Sequence, residues 1–144
     1  MIGTWELLEW DCTIDDTYHS HPFGADAQGR ITYTNDGYMS AILMKPNRPR
    51  FARPLIAAGT EEEKMAALAG YVSYAGTYRV EENLVFHTVQ FSLLPNWIGT
   101  DLVREMTWLP AEDGEPLQLM LSTLPEKTRS GKSVINRLRW GRLS

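Results

Sequence analysis

The sequence predicts an all-β domain: an eight-stranded antiparallel up-and-down barrel with one amphipathic helix over about residues 60–74. Apolar residues recur at every second position through most of the chain, which is the period of half-buried strands. Tight turns separate these runs and leave no room for the helical crossovers that parallel strands require. Eight short strands in this order must close or pack as a sandwich, and their number and order favour a closed barrel.

The first strand and the hairpin after it are the clearest elements. In "TWELLEW" the alternation of Trp5 and Leu7 changes phase at Leu8. This shift brings Trp10 to the same face and predicts a bulge. In "GRITYTNDGYMSAILM" two alternating runs meet at Asp36-Gly37, which is a strong hairpin signal.

Two further hairpins and a final strand complete the barrel. "GTYRVEENLVFHTVQFS" is predicted to turn at Glu82-Asn83, and "TDLVREMTWLPAEDGEPLQLMLSTL" through Ala111 to Glu115. "SVINRLRWGRL" reads as the last strand. These elements fill the chain, so residues 1–144 are expected to form a single domain.

The predicted helix starts at a capping box formed by Thr60 and Glu63. Its apolar stripe has the spacing of one helical face and consists of Met65, Leu68, Ala69 and Val72. Gly76 is the predicted stop. We therefore expect an amphipathic helix that lies against an apolar surface.

The composition excludes several classes of function. A net charge of -4 disfavours nucleic-acid binding, and no stretch approaches the roughly 20 apolar residues of a membrane span. Cys12 is alone, so no disulfide within the chain is expected. No glycine-rich phosphate loop or metalloprotease motif occurs, and no cofactor is expected. Met1 is followed by no leader-like segment, which predicts a cytoplasmic protein.

Five segments resemble the bacterial and fungal lipocalin-like family. They are "GTWELLEW", "PFG…GRITYTNDGYMSAILM", "GYVSYAGTYRV", "FHTVQFSLLPNWIGTDLVR" and "LRWGRL". The resemblance implies an eight-stranded barrel around an apolar pocket, with no shared catalytic motif. It also implies that Trp5 packs at one end under an arginine of the last strand, for which Arg142 is the better match and Arg139 the alternative. Some related intracellular barrels serve natural-product pathways as cyclases or isomerases.

His87 is the strongest candidate for chemistry. It shares strand parity with Val85, Val89 and Phe91, which favours an inward face. The opposite face is also fairly apolar and is the alternative; it carries Leu84, Phe86 and Thr88. A desolvated imidazole is neutral at pH 7 and can act as a general base or bind a ligand. The alternative is a buried histidine that only forms hydrogen bonds with a tyrosine or serine of a neighbouring strand. If His87 is catalytic, Tyr33 is the candidate acid beside it.

Further residues are expected to contact a ligand. Arg104 can bind a carboxylate or enolate, or else pair with a surface acid such as Glu105 or Glu6. The other candidates are Met39, Leu43, Tyr78, Val89, Phe91, Leu94 and Trp97. Leu94 and Trp97 belong to the apolar loop "SLLPNWIGTD", which is expected to cover one barrel end as a plug or a gate.

Two polar clusters are weaker candidates. His19 and His21 have a spacing that can bind a metal, but no third fixed ligand is evident, so no metal site is predicted. The run "KPNRPRFARP" can receive an acidic group or be a solvated, proline-stiffened connection.

The sequence thus predicts a barrel that binds a small, mostly apolar organic molecule, as a cofactor-free cyclase or isomerase. The alternatives are an intracellular carrier of a lipid or pathway intermediate, and a structural barrel without a ligand. The expected partner is the small ligand, with no nucleic acid and no membrane span. A homodimer is compatible with the sequence, although no sequence feature requires one.

Overall fold

The structure, a computed structural model, describes all 144 residues and contains one continuous sheet that closes on itself. The elements are β1 (Gly3–Ile14), β2 (Thr17–Ser20), β3 (Gln28–Tyr33), β4 (Tyr38–Met44), α1 (Glu61–Ala69), β5 (Tyr71–Glu81), β6 (Leu84–Ser92), β7 (Asp101–Leu109), β8 (Gln118–Thr123), β9 (Glu126–Lys127) and β10 (Ser133–Arg142). Each strand of the barrel pairs antiparallel with the next, and β10 returns to pair with β1. The short strands β2 and β9 extend β1 and β10. The predicted eight-stranded barrel is confirmed.

Two bulges shape the eight-stranded barrel, apart from a shift at Cys12 in the pairing of β1 with the short strand β2. The predicted one is present, since the pairing of β1 with β10 shifts between Leu7 and Glu9. The second was missed: the pairing of β5 with β6 shifts between Ala75 and Gly76. A side chain at Gly76 would overlap the carbonyl oxygen of Thr88, so this close approach requires glycine. Gly76 is therefore a mid-strand residue and does not end the helix.

The second bulge also corrects the prediction that Phe91 faces the interior. Gly76 pairs with Val89 and Ala75 pairs with Phe91, which leaves Gln90 as the inserted residue. An inserted residue reverses the parity of whatever follows it. Phe91 consequently lies on the outer surface with 71% of its area exposed.

The helix is shorter than predicted. The capping box forms as expected, with the Glu63 backbone N–H donating to Thr60 Oγ1 and the Thr60 N–H donating to Glu63 Oε1. However, α1 ends at Ala69, because residues 71–74 pair with β4 instead. The helix buries none of its residues, so the expected apolar contact along its stripe is wrong. Part of that stripe came from Val72, which belongs to β5.

The two ends of the barrel differ in their connections. One end, the closed end, carries both termini and the connections 34–37, 82–83 and 110–117. The opposite end, the open end, carries the longer connections 15–27, 45–70, 93–100 and 124–132. The loop after β6 lies opposite the Glu82-Asn83 turn and shares its end with the helix. The core is solid towards the closed end, where Trp5, Tyr33, Val85 and Leu119 are almost inaccessible.

Trp5 is covered at the closed end by the last strand. Arg142 is its partner in the β1–β10 pairing, and the guanidinium carbon lies 5.6 Å from the centroid of the indole. Arg142 also donates hydrogen bonds to the carbonyl oxygens of Ile2 and Ser144, at 2.9 and 3.0 Å. Arg139, the alternative match, instead donates to the side chain of Gln118.

Candidate ligand-binding site

A cavity of about 340 Å³ occupies the half of the barrel towards the open end. All eight barrel strands contribute to its wall. The apolar part of the wall includes Trp10, Leu43, Trp97, Leu121, Leu138 and Trp140. The polar part consists of Tyr74, His87, Arg104, Thr123, Glu126 and Asn136. An apolar cavity with a few converging polar groups is the usual form of a small-molecule site.

His87 stands at the inner limit of this cavity, on β6, next to the neighbouring strand β5 and opposite β3 across the interior. Its Nε2 lies 2.7 Å from the hydroxyl of Tyr33, and its Nδ1 lies 2.9 Å from the hydroxyl of Tyr74. Burial, together with the smaller effect of the positive charge of Arg104, lowers the pKa of His87 to about 3. The imidazole is therefore neutral at physiological pH, with both nitrogens engaged by phenols.

The two phenols keep their protons. Burial raises the pKa of Tyr33 well above its usual value and also raises the pKa of Tyr74. The charge of Arg104 lowers the pKa of both phenols, and a hydrogen bond from Arg104 also lowers that of Tyr74, but desolvation is the larger effect. Tyr33, His87 and Tyr74 thus form a neutral hydrogen-bonded triad.

Arg104 brings a positive charge to the same place. On β7 it shares parity with Leu102, which also lines the cavity, and its backbone pairs with that of buried Val85. Its guanidinium donates to the carbonyl oxygen of Val103 at 3.0 Å and forms no ion pair within 4.0 Å. The predicted alternative of a surface ion pair with Glu105 or Glu6 is therefore wrong.

The loop after β6 contributes one wall of the cavity. A 3₁₀ turn over Pro95–Trp97 places the indole of Trp97 edge-on against the ring of Tyr74, with centroids 5.7 Å apart. The Gly99 N–H donates to the Val89 carbonyl at 2.9 Å, which ties the loop back to β6. Trp97 lines the cavity.

Comparison with known proteins agrees with this architecture. Residues 2–143 match the lipocalin-like domain. The chain belongs to that family. It is also similar to a 4'-hydroxy-3'-methoxypropiophenone carrier protein of Aspergillus oryzae, with 36% identity over 74 residues, which are 46% of this chain and 67% of that protein. No solved structure matches the chain.

The lipocalin-like barrel brings together only some of the predicted site residues. Leu43, His87, Trp97 and Arg104 line the cavity, and Tyr33 reaches it through its hydrogen bond to His87.

The other candidates lie elsewhere in the lipocalin-like barrel. Met39 and Val89 are buried in the core but not in the cavity wall. Tyr78 packs edge-on against Tyr33 and donates to the Thr34 carbonyl near the closed end. Leu94 was expected to contact the ligand, but it lies outside the cavity wall with 44% of its area exposed.

Sequence reasoning missed Tyr74 and Asn136. Tyr74 has the same strand parity as Tyr78, and that parity was a signal that both face inward. Asn136 accepts a hydrogen bond from Trp10 Nε1 at 2.9 Å. It carried no signal, because an asparagine in a strand-like run gives no indication of an interior partner.

The weaker polar clusters stay outside the cavity. Tyr18 and Glu9 lie beside the ring of His21, and His19 is exposed. No group of three or more side chains in the structure is arranged to hold a metal ion. In the basic run, Arg48 donates to the Ala67 carbonyl of the helix. The only α-helix spans nine residues, and no helix has the length and apolarity to cross a membrane.

Proposed function

We propose that the protein binds a small, mostly apolar organic molecule in the open-half cavity and carries it unchanged. The observation that carries this proposal is the cavity itself, which has aromatic and aliphatic walls and a polar group of Tyr74, His87 and Arg104 at its inner limit. Such a site would hold an apolar skeleton by burial and orient it through one polar end.

The similar carrier protein supports the proposal and suggests a test ligand. The compound in its name, 4'-hydroxy-3'-methoxypropiophenone, combines an aromatic ring with a ketone at one side and a phenol at the other. A flat ring suits a wall that includes the indoles of Trp10 and Trp97. An oxygen at the end of the ligand suits the donors at the inner limit.

Binding is tested by titrating the protein with this compound and with N-phenyl-1-naphthylamine, a neutral apolar dye, while following tryptophan emission. We expect saturable binding of both, with a response of Trp97. Val72→Phe, which fills the cavity from its wall, should weaken binding at least about tenfold, since it removes the space the ligand needs. The matched control is Phe91→Ser on the outer surface, which should leave affinity unchanged. Absence of saturable binding, or equal effects of both variants, would refute the proposal.

A cofactor-free isomerase or cyclase is the second candidate function. The observation that favours it is a cation and a phenol, Arg104 and Tyr74, placed together where they would stabilise an enolate. We rank it second because the lone pair of His87, the candidate base, is engaged by a phenol and its pKa is low. The test is exchange of the protons next to the ketone of 4'-hydroxy-3'-methoxypropiophenone for deuterium, followed by NMR. Protein-accelerated exchange that His87→Gln abolishes would favour the enzyme, whereas exchange at the buffer rate would favour the carrier.

Three features stay predictions from the sequence: a cytoplasmic location, the lack of a nucleic-acid partner and the lack of a cofactor. Mass spectrometry of the natively purified protein would address the last of these together with the identity of the ligand.

A further inference from the structure

The hydrogen bonds of the triad can be counted. A neutral imidazole has one N–H donor and one acceptor nitrogen, so His87 donates to one phenol and accepts from the other. Tyr33 is fully buried and its hydroxyl has no partner except His87 Nε2. If Tyr33 accepted that bond, its own O–H would be a buried donor without a partner, which is costly. Tyr33 therefore donates to Nε2, and the proton of His87 resides on Nδ1.

This assignment determines what Tyr74 offers. The Nδ1–H of His87 donates to the Tyr74 oxygen, so the hydroxyl hydrogen of Tyr74 is not used inside the triad. Tyr74 also lines the cavity, whereas Tyr33 does not. The triad thus presents an O–H donor to the cavity.

Arg104 adds a second donor to the same side. Its only hydrogen bond to a backbone group uses one Nη1–H, and a guanidinium has five N–H groups. Charges inside proteins are normally paired. The only carboxylate in the wall is Glu126, an exposed side chain of β9 that is not within ion-pair distance of Arg104.

A third donor near the cavity also lacks a partner. The indole N–H of Trp140 is buried and bonds to no group of the protein. Donors around the cavity therefore outnumber acceptors. This imbalance disfavours a ligand that is itself a donor and favours one that contributes acceptor oxygens.

We propose that the cavity is specific for organic anions: an apolar, aromatic skeleton that carries one delocalised oxyanion, bound by the Arg104 guanidinium and the Tyr74 hydroxyl. Carboxylates, acidic phenols and enolates share this chemistry. The inference rests on the proposed binding function and deepens it by naming the class of ligand. His87 is a positioning residue in this account, because it turns the hydroxyl of Tyr74 towards the ligand and does not touch the ligand itself.

The test uses two dyes with one skeleton. Anilinonaphthalene-8-sulfonate carries an anionic group that N-phenyl-1-naphthylamine lacks. We expect the native protein to bind the anionic dye about tenfold or more tightly than the neutral one, as charge-assisted hydrogen bonds allow. Arg104→Met should remove this preference, Arg104→Lys should keep part of it, and Tyr74→Phe should reduce it by a smaller factor.

The control variant is Arg79→Met, which removes an exposed arginine that pairs with Glu81 and Asp101 and does not line the cavity. It should leave the preference intact, and circular dichroism shows which variants fold. If Arg104→Met fails to fold, the ratio in Arg104→Lys and Tyr74→Phe decides. Equal binding of both dyes by the native protein, or equal weakening of both by the Arg104 variants, would overturn the inference and leave the carrier proposal standing. If neither dye binds, the carrier proposal itself fails.

Discussion

Two arginines show how the ends of this barrel differ. Arg142, at the closed end, lies over the ring of Trp5 and donates to two backbone carbonyls. Arg104, facing the cavity, donates to one backbone carbonyl, lies beside the Tyr74 hydroxyl and has no carboxylate within ion-pair distance. The first arginine is used by the fold. The guanidinium of the second arginine retains N–H donors that no group of the fold accepts. These donors are available to a ligand in the cavity.

The same contrast extends to the aromatic residues around each arginine. Trp5 is 0% exposed, and its N–H donates to the Met1 carbonyl at 2.8 Å. Trp97 is only partly buried, in a loop whose neighbours Leu94 and Ile98 are exposed. Stability is therefore concentrated at the closed end. The open end can change its side-chain arrangement at a lower cost.

The largest expected effect is loss of the closed-end tryptophan. Trp5→Ala should lower the free energy of unfolding by about 3–5 kcal/mol, because it opens a cavity in the solid part of the core. The paired change at the open end, Trp97→Ala, should cost roughly 1 kcal/mol, since its site is partly solvated. Urea unfolding followed by circular dichroism measures both. Similar costs for the two variants would contradict the assigned difference between the ends.

The next effect is the pH dependence of stability. The pKa of His87 is about 3 in the folded protein and near 6.5 in the unfolded chain. Between these values the unfolded state binds more protons, so stability is complete above pH 6.5 and is lost as the pH falls. The loss from this residue approaches ~1.4 kcal/mol per pH unit at most.

His87→Gln removes this titration while retaining an amide that can bond to both phenols. Its unfolding free energy should therefore fall less steeply between pH 6.5 and 4 than that of the native protein. The matched control is His19→Gln, which makes the same replacement at an exposed site. A native slope in His87→Gln would mean that the imidazole is protonated in the folded state, and the neutral triad would then be wrong.

The fold was predictable because local signals and long-range pairing agree. Asp36-Gly37 turns where the sequence places a hairpin, and the phase change at Leu8 appears as a bulge. Two predictions were wrong because the strand pairing overrode a local sequence pattern. The helical stripe was expected to reach residue 74, but the ladder with β4 takes residues 71–74. Phe91 was assigned by parity, and the bulge opposite Gly76 reversed it.

The site was predictable only in part, because it depends on distances across the barrel. The strand parity of His87 favoured an inward-facing side chain, and its apolar neighbours predicted a neutral imidazole. Its partners were not deducible, since Tyr33 and Tyr74 lie 54 and 13 residues away along the chain. Likewise, its position after the apolar loop made Arg104 a candidate, but only the structure shows that Glu105 and Glu6 do not pair with it.

The smallest effect is the most direct test of the comparison between the arginines. Arg142→Met should lower the free energy of unfolding by about 1–2 kcal/mol, because it removes charge-assisted hydrogen bonds and a cation–π contact. Arg104→Met should be neutral or stabilising by up to about 1 kcal/mol, since it replaces a poorly paired cation in an apolar cavity with an apolar side chain. Both are measured as shifts in the urea midpoint at unchanged slope. An Arg104→Met variant as unstable as Arg142→Met would make Arg104 a structural residue. If Arg104→Met is stable but binds the anionic and the neutral dye equally, the charge of Arg104 serves ligand binding and lowers the stability of the barrel.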